Sequence, residues 1–260
     1  MITEDPRFLY KYRPIDKYAS DIFCRGTLFF GTPEILNDPF EGEPVLDTGY
    51  TEQTWRHAIA SDIRERRPHF NDAELQAAVQ DAFDRHYPPS EHDLESFRHR
   101  YHERVKRLGI FSTSARWDSI VMWAHYAENH CGLCLELDTA ALPPNIRAHQ
   151  VIYAPTRPVI NLFADRSTAN LTSALTKNKE WRYEDEWRLV LEPPSPELSF
   201  PCEVECPKGF VSAAILGARI TPEDRRRVLD WVTHVDPLPS VHQASVDERD
   251  YRVNRSPMGG

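Results

Sequence analysis

The sequence predicts an α+β fold, with a split or strongly bent mixed β-sheet core that is interrupted by a helical insertion. Short strand-like segments recur along the chain, and helical segments lie between them without the regular alternation of a doubly wound sheet. Residues 51–108 are charged and helical in period, which indicates the insertion. A chain of 260 residues can bury a large core without disulfides, so we expect residues 1–260 to form a single domain.

The first half of the chain is interpreted from apolar periodicity and from residues that end elements. We predict strands over 8–12 and 27–30, a short helix over 16–23, and two or three helices in the insertion. Asn37-Asp38-Pro39 predicts a turn in which a side chain bonds its own backbone. Ser90 is an N-cap residue type for a helix that runs to about Gly109.

The second half is interpreted in the same way. Asp118 is expected to cap a helix that runs to about Asn129, and Thr221 with Pro222 opens the last helix. Residues 254–260 are expected to fray. We predict strands over 110–114, 133–137, 150–153, 186–191 and 210–216, and further helices over 167–177 and 221–232.

Charge and hydropathy restrict the function classes. With 31 basic and 40 acidic residues the net charge is −9, which makes a broad nucleic-acid-coating surface a poor expectation, since phosphate binding depends on charge neutralisation. No apolar run approaches the roughly 20 residues that a membrane span needs, and the first residues lack a signal-peptide core. We therefore expect a cytoplasmic protein without a membrane partner.

The five cysteines offer one metal hypothesis. Cys131 and Cys134 have the spacing of a zinc half-site, which Cys202 and Cys206 would complete. However, residues 131–138 alternate like a strand, so the first two thiols would point to opposite faces. We expect no metal site and buried, unreactive thiols.

Two carboxylates are the leading candidates for chemistry. Glu184 and Glu186 lie two apart in an extended segment, so they would face the same side. Ionised carboxylates stabilise the oxocarbenium-like states of glycosidic bond cleavage. The alternative is that they form ion pairs with Arg182 and Arg188 on a surface strand.

Other polar side chains have both structural and functional interpretations. Met122, His125 and Tyr126 share one helical face, where the histidine is either partly buried and satisfied or in contact with a ligand. Lys177 and Lys179 either neutralise phosphates or form the cationic end of a helix.

Several segments together resemble one bacterial family. They are LYKYR, LFFGTPEILNDPFE, FSTS, MWAHYAENHCGLCLEL, KNKEWRYEDEWRLV and ILG, in this order between about residues 9 and 220. Their combination is similar to the domain of unknown function 2971 family. That family has no established activity, so the resemblance implies kinship and no particular chemistry.

The chain also resembles ADP-ribosyltransferases of the Arg/Ser/Glu type. Arg13 follows the first strand, Ser112-Thr113-Ser114 opens a later one, and Glu184-Asp185-Glu186 precedes a third, which is the order of that class. Arg13 departs from the pattern because it stands before a proline at a strand end, and Tyr10 or Tyr12 would take its place in the related class. The resemblance implies NAD as co-substrate and a setting in bacterial conflict, such as phage defence or toxicity.

That resemblance implies roles for the residues. Glu186 would stabilise the ribose cation, Glu184 would anchor ribose or activate the acceptor, Ser112 would orient the pocket and Arg13 would hold a phosphate. The remaining residues expected at the NAD site are Tyr12, Thr113, Ser114, Asn37, Asp38, Trp123, His125, Tyr126, Trp181 and Tyr183. We expect Glu186→Gln to remove activity and to leave stability within about 1 kcal/mol.

Two other functions remain open from the sequence. Asp38, Glu41, Glu184 and Glu186 with Lys179 offer the groups of a metal-dependent nuclease or phosphodiesterase, although no compact Asp…Glu-x-Lys order is present. The second is a non-catalytic module that senses a ligand or binds a partner. For the transferase hypothesis, the sequence identifies no particular acceptor substrate.

Overall fold

The structure, a computed structural model, describes residues 6–144, 146–163, 169–192 and 199–258, and it has the mixed α+β architecture that the sequence predicts. Its α-helices are α1 (Lys17–Cys24), α2 (Glu52–Arg66), α3 (Asp72–His86), α4 (Glu91–Lys106), α5 (Ile120–Tyr126), α6 (Ala169–Leu175) and α7 (Pro222–Val232). Short 3₁₀ helices lie at Pro33–Ile35, Thr139–Ala141 and Lys179–Glu184. The strands are β1 (Phe8–Arg13), β2 (Thr27–Phe30), β3 (Val45–Asp47), β4 (Gly109–Ser114), β5 (Leu133–Asp138), β6 (Ala148–Gln150), β7 (Ile152–Ala154), β8 (Val159–Asn161), β9 (Thr176–Asn178), β10 (Glu186–Leu191), β11 (Cys202–Glu205), β12 (Val211–Leu216), β13 (Ser240–Val246) and β14 (Val253–Pro257).

One large mixed sheet organises the described residues. Its eight strands have the order β14-β13-β12-β5-β1-β4-β10-β6. β12 and β13 pair in parallel, and the other neighbours are antiparallel. β1 lies in the interior, with Leu9 opposite Leu137 on one side and Tyr10 opposite Ser114 on the other. The remaining strands form two-stranded ladders, namely β2 with β11, β3 with β8, and β7 with β9.

Apolar residues of the central strands are buried on both faces of this sheet. Leu133, Leu135 and Leu137 of β5 are fully buried in the main hydrophobic cluster, whereas Cys134 belongs to a second cluster with Trp123. The alternation of a strand explains the division, because successive side chains point to opposite faces. Each buried leucine contributes about 1.5–3 kcal/mol of transfer free energy.

The insertion consists of three helices, each with a capping box. The N-cap residues are Thr51, Asn71 and Ser90. In each case the N-cap side chain accepts a hydrogen bond from the backbone N–H of the third helical residue, and the side chain of that third residue accepts one from the backbone N–H of the N-cap. The N-cap predicted at Ser90 is therefore confirmed, but the helix ends at Lys106 and not near Gly109, which begins β4. The apolar sides of the helices pack with residues 160–163 into a separate cluster, in which the rings of Trp55 and Phe97 lie 5.0 Å apart.

Two predicted element boundaries are wrong in the segment that follows β4. The helix predicted over 118–129 begins after Ser119, whose hydroxyl accepts from the backbone of Met122, while Asp118 pairs with Arg116. This helix ends at Tyr126, and residues 128–130 have positive φ angles that a helix cannot contain. The predicted strand over 150–153 is divided between β6, which pairs with β10, and β7, which pairs with β9.

The helix predicted over 167–177 ends at Leu175, because Thr176–Asn178 form β9; its predicted first residue, Ser167, lies outside the described residues. The expected fraying is also wrong for residues 254–257, since β14 pairs with β13 over five residues. Cys134 is buried, but Cys24 is exposed, which corrects the expectation of buried thiols. Over the described ranges, none of the helices combines the length and apolar character required to cross a bilayer.

Candidate functional site

A cavity of about 320 Å³ lies over β1 and β4 and collects residues from distant parts of the chain. Arg13 from β1, Ser112 from β4 and Glu186 from β10 all line it. Other predicted site residues in its wall are Tyr12, Asn37, Thr113, Tyr126 and Glu184. Because β1, β4 and β10 are consecutive in the sheet, strand pairing alone brings these three segments together.

A network of five buried charges lies at the Glu186 side of this cavity, and we call it the buried charge network. Lys177 Nζ lies 2.6 Å from Glu184, 3.1 Å from Glu186 and 3.4 Å from Glu41. Arg188 binds Glu186 through Nε at 2.8 Å and Glu41 through Nη2 at 2.7 Å. No side chain of the five is more than 5% exposed, so three carboxylates face two cations away from water.

The network keeps Glu186 ionised. Burial on its own would raise the pKa of a carboxyl group, because a low-dielectric surrounding disfavours the charged form. Arg188, Lys177 and a hydrogen bond from the Ser112 hydroxyl overcome this effect and lower the pKa of Glu186 to about 2. Burial also opposes the charge of Lys177, but the three carboxylates raise its pKa above the ordinary value.

Glu184 connects the network to the opposite wall of the cavity. The Tyr126 hydroxyl donates a hydrogen bond to Glu184 Oε1, and Asn37 Nδ2 lies 2.5 Å from the same hydroxyl, to which it donates. Burial and the bond to Glu184 raise the pKa of Tyr126. The tyrosine therefore stays protonated and acts as a donor to the carboxylate.

Lys11 and Arg13 supply positive charge from β1. They lie two residues apart, so both side chains point to the cavity face of the strand. Arg13 pairs with Asp16 at 3.2 Å, and its buried Nε has no hydrogen-bond partner among the described residues. Lys11 Nζ donates to the Ser112 carbonyl oxygen at 2.5 Å, and burial together with Arg13 lowers its pKa to about 7.

Several predicted ligand contacts serve the fold instead. Trp123 is fully buried, and its indole nitrogen donates to the Trp117 carbonyl at 2.8 Å. Ser114 donates to the Glu184 carbonyl at 2.6 Å and does not line the cavity. The Tyr12 side chain lies on the face of β1 opposite to Lys11 and Arg13, where its ring packs against Trp123 and its hydroxyl donates to the Arg116 carbonyl at 2.8 Å.

Asp38, His125, Trp181 and Tyr183 also lie outside this cavity. Asp38 accepts from the backbone N–H of Phe40 at 2.9 Å, which confirms the predicted turn, and it borders a second cavity. His125 is exposed and lies 3.3 Å from the Tyr183 hydroxyl, so the expectation of a partly buried histidine is wrong. Trp181 instead lies under the Lys177 ammonium, 4.9 Å from its ring centroid.

The alternative of ion pairs on a surface strand is correct for one pair and wrong about its location, because Arg188 does pair with Glu186 at 2.8 Å but both side chains are buried. Glu184 ends a 3₁₀ helix and is buried, while Arg182 is exposed and is not its partner. Ser112 and Ser114 belong to an interior strand and not to an edge. The structure also argues against a stability change of only about 1 kcal/mol in Glu186→Gln, since this carboxylate holds two buried cations.

The carboxylates proposed for a nuclease do not form a metal-ligand set. Glu41, Glu184 and Glu186 surround the Lys177 ammonium, which takes the central position that a cation would require. Lys179 is exposed. Within the part of the chain that the structure describes, no group of histidine, cysteine or acidic residues is arranged to hold a metal ion.

Sequence reasoning missed Lys11, gave Lys177 no acidic partner, and placed the ion pair of Arg188 at the surface instead of in the interior. Arg188 stands among Trp187, Leu189 and Val190 in a predicted strand, and this apolar surrounding was the available signal of its burial. Lys11 lies between two tyrosines of the first strand, two residues before Arg13. That spacing places both cations on one face.

One family comparison bears on this site. Residues 122–189 match the family model described as "Protein of unknown function (DUF2971)". This segment contains Tyr126, Lys177, Glu184, Glu186 and Arg188. No curated protein and no solved structure matches the chain, so the ADP-ribosyltransferase resemblance has no support from these comparisons. The segment that supplies four of the five members of the buried charge network is thus similar to a family of proteins of unknown function.

Proposed function

We propose that this cavity binds a nucleotide-like small molecule with an anionic group, and that the protein consumes NAD as an ADP-ribosyltransferase or NAD glycohydrolase. The observation that carries the proposal is the meeting of Arg13, Ser112 and Glu186, from three separate strands, in the wall of one cavity. Sequence order alone did not require these residues to share a cavity.

The shape and lining of the cavity suit part of a dinucleotide. Its volume of about 320 Å³ is near the lower end of the roughly 300–1,000 Å³ of small-molecule sites. It therefore accepts the nicotinamide riboside half of NAD and leaves the adenosine half towards solvent. The Arg13 guanidinium lines the cavity on a side chain that is 22% exposed, and it is suited to a phosphate oxygen. Aromatic rings available for stacking are those of Tyr18, Phe29 and Phe111.

The two carboxylates would take different roles in this chemistry. Glu186 accepts hydrogen bonds from Arg188 on both oxygens and remains ionised, so it acts as a fixed anion near the ribose and not as a base. Glu184 is bonded by Tyr126 and Lys177, one to each oxygen, and each oxygen retains a lone pair for a ribose hydroxyl. As the bond from C1′ to nicotinamide breaks, neutral nicotinamide leaves with the electron pair, and water or an acceptor bonds to C1′ and releases one proton to solvent.

The direct test is nicotinamide release from NAD by the purified full-length protein, with and without cell extract as a source of acceptor. We expect release that falls at least about 100-fold in Glu184→Gln, as expected when an electrostatic contact to the transition state is lost. Glu180→Gln is the matched control, because Glu180 is exposed in the same 3₁₀ helix. Absence of both nicotinamide release and an NAD-induced melting shift would refute the proposal.

A second candidate is a module that senses the same ligand without turnover. The observation that favours it is the full engagement of Glu186 by Arg188 and Lys177, which builds a rigid platform and leaves this carboxylate no free proton-accepting role. Melting shifts with NAD, nicotinamide mononucleotide and ADP-ribose distinguish the candidates. A sensor is stabilised by an intact ligand that mass spectrometry recovers unchanged, whereas an enzyme converts it.

A further inference from the structure

We propose that Lys11 is a nucleophilic amine that captures a small aldehyde or ketone carrying an anionic group, as a Schiff base within the same cavity. The proposal goes beyond the proposed function and does not depend on NAD cleavage. It concerns a residue for which the sequence predicted no role.

The position of Lys11 differs from that of the other lysine in the cavity wall. Lys177 contacts three carboxylates, whereas none of the salt bridges among the described residues includes Lys11. Its Nζ donates to the Ser112 carbonyl oxygen at 2.5 Å and lies 4.7 Å from the centroid of the Phe111 ring. Lys11 is thus held over an aromatic ring and by a neutral carbonyl, and neither contact requires the ammonium form as strongly as a carboxylate does.

The surrounding charges favour the free amine. Burial is the largest influence on Lys11, followed by repulsion from Arg13 on the same strand, and Lys177 on β9 acts in the same direction. Glu186 on β10 and Glu184 before it oppose these effects, but the pKa of Lys11 still falls to about 7. A desolvated lysine next to another cation is a recognised arrangement for an amine nucleophile at neutral pH.

Arg13 sets the class of carbonyl compound. It follows Lys11 by two residues, lines the same cavity, and has a buried Nε with no partner among the described residues. A carboxylate or phosphate on the ligand would pair with the partly exposed Arg13 guanidinium while the carbonyl group reaches Nζ of Lys11. The volume of about 320 Å³ admits a compound of one ring with such a group.

The covalent step is balanced without a further reactant. The lone pair of Nζ attacks the carbonyl carbon and forms the C–N bond, while the π electron pair of the carbonyl moves to oxygen. Both hydrogens of the neutral amine then leave with that oxygen as water, and the C=N bond remains. No oxidation or reduction occurs, and hydrolysis reverses the step.

The test uses pyridoxal 5′-phosphate as a probe in limiting amount at about pH 7.5, followed by borohydride reduction and peptide mass spectrometry. Lys106 and Lys208 of the same sample are internal controls, because each is exposed, pairs with a carboxylate and has a raised pKa. Only about 0.1% of an ordinary lysine is unprotonated at this pH. We therefore expect Lys11 to be labelled at least about tenfold more than either control. Pyridoxal without phosphate should label Lys11 less than the phosphorylated probe.

Variants and a smaller probe complete the design. Lys11→Arg removes the label, and Lys17→Arg, at an exposed lysine of α1, is the matched variant that retains it. Reductive methylation with formaldehyde is then followed against pH, and the rate at Lys11 should have a midpoint near 7. A midpoint of the Lys11 methylation rate above about pH 9.5 would overturn the proposal. The proposal would also be overturned if both pyridoxal probes labelled lysines according to their exposure, so that the label on Lys208 equalled or exceeded the label on Lys11. Neither result depends on NAD cleavage, so the two proposals fail independently.

Discussion

Arg188→Met tests whether the buried charge network is a structural requirement of the fold. Arg188 is fully buried and donates five hydrogen bonds, two to Glu41, two to Glu186 and one to the Ala174 carbonyl. Methionine fills a similar volume but leaves three carboxylates around the single ammonium of Lys177. Removal of one partner from a buried ion pair destabilises proteins by about 3–5 kcal/mol, because the remaining charge is left unpaired. Against a total stability of about 5–15 kcal/mol, this is a large loss.

The assay is urea denaturation followed by tryptophan fluorescence, with thermal melting in parallel. We expect the free energy of unfolding to fall by about 3–5 kcal/mol and the melting temperature by roughly 6–20 °C. Glu41→Gln in the Arg188→Met background should restore at least about 1 kcal/mol, because it removes one unpaired carboxylate. Arg227→Met is the control, since Arg227 pairs with Asp224 at the surface and should change stability by less than about 1 kcal/mol. The reasoning is refuted if the free energy of unfolding of Arg188→Met is within about 1 kcal/mol of the wild-type value. It is also refuted if the double variant is no more stable than Arg188→Met.

Three further predictions concern acid stability, thiol reactivity and backbone packing. The pKa of Glu186 is about 2 in the folded protein and near 4.5 in the unfolded chain, so the stability that its charge contributes is complete above pH 4.5 and is lost as the pH falls towards 2. Denaturation at several pH values should therefore show that the free energy of unfolding depends less on pH between 4.5 and 2 in Glu186→Gln than in the wild type. An Ellman assay on the native protein should detect Cys24 quickly, a phase that Cys24→Ser abolishes, and Cys134 only after unfolding, because burial raises the pKa of that thiol. A Cβ at position 132 would lie 2.2 Å from the Arg13 carbonyl oxygen, so Gly132→Ala should lower stability by about 1–3 kcal/mol in denaturant titrations, and unchanged stability would show that β1 shifts freely.

Local signals explain why most elements could be predicted. The capping box at Ser90 and the Thr221–Pro222 start of α7 act within one helical turn, so the sequence contains the whole signal. The change from α6 to β9 after Leu175 has no such signal, because it depends on pairing with β7. Pairing with the preceding strand β13 placed residues 254–257 in the sheet against the expectation of fraying.

The candidate site was predictable only in part for a related reason. Arg13, Ser112 and Glu186 were identified from the order of three short motifs, and the cavity brings them together. The pairing of Arg188 with Glu186 was among the alternatives, but the burial of Arg188 and Lys177 could not be derived, since charged residues are usually exposed. Each cation finds a partner in Glu41, which lies more than a hundred positions earlier in the sequence.

The interior position of β1 has a consequence for synthesis on the ribosome. Residues 8–13 are translated before the helical insertion, whereas their partners at 114 and 133–138 emerge only after it. At elongation rates of about 5–20 residues per second, this interval is on the order of ten seconds. During that time the backbone amide groups of residues 8–13 are unpaired, and side chains that the fold later buries, such as Leu9, are exposed to water. The segment that later becomes the centre of the sheet is therefore the part of the emerging chain where we expect a chaperone to bind.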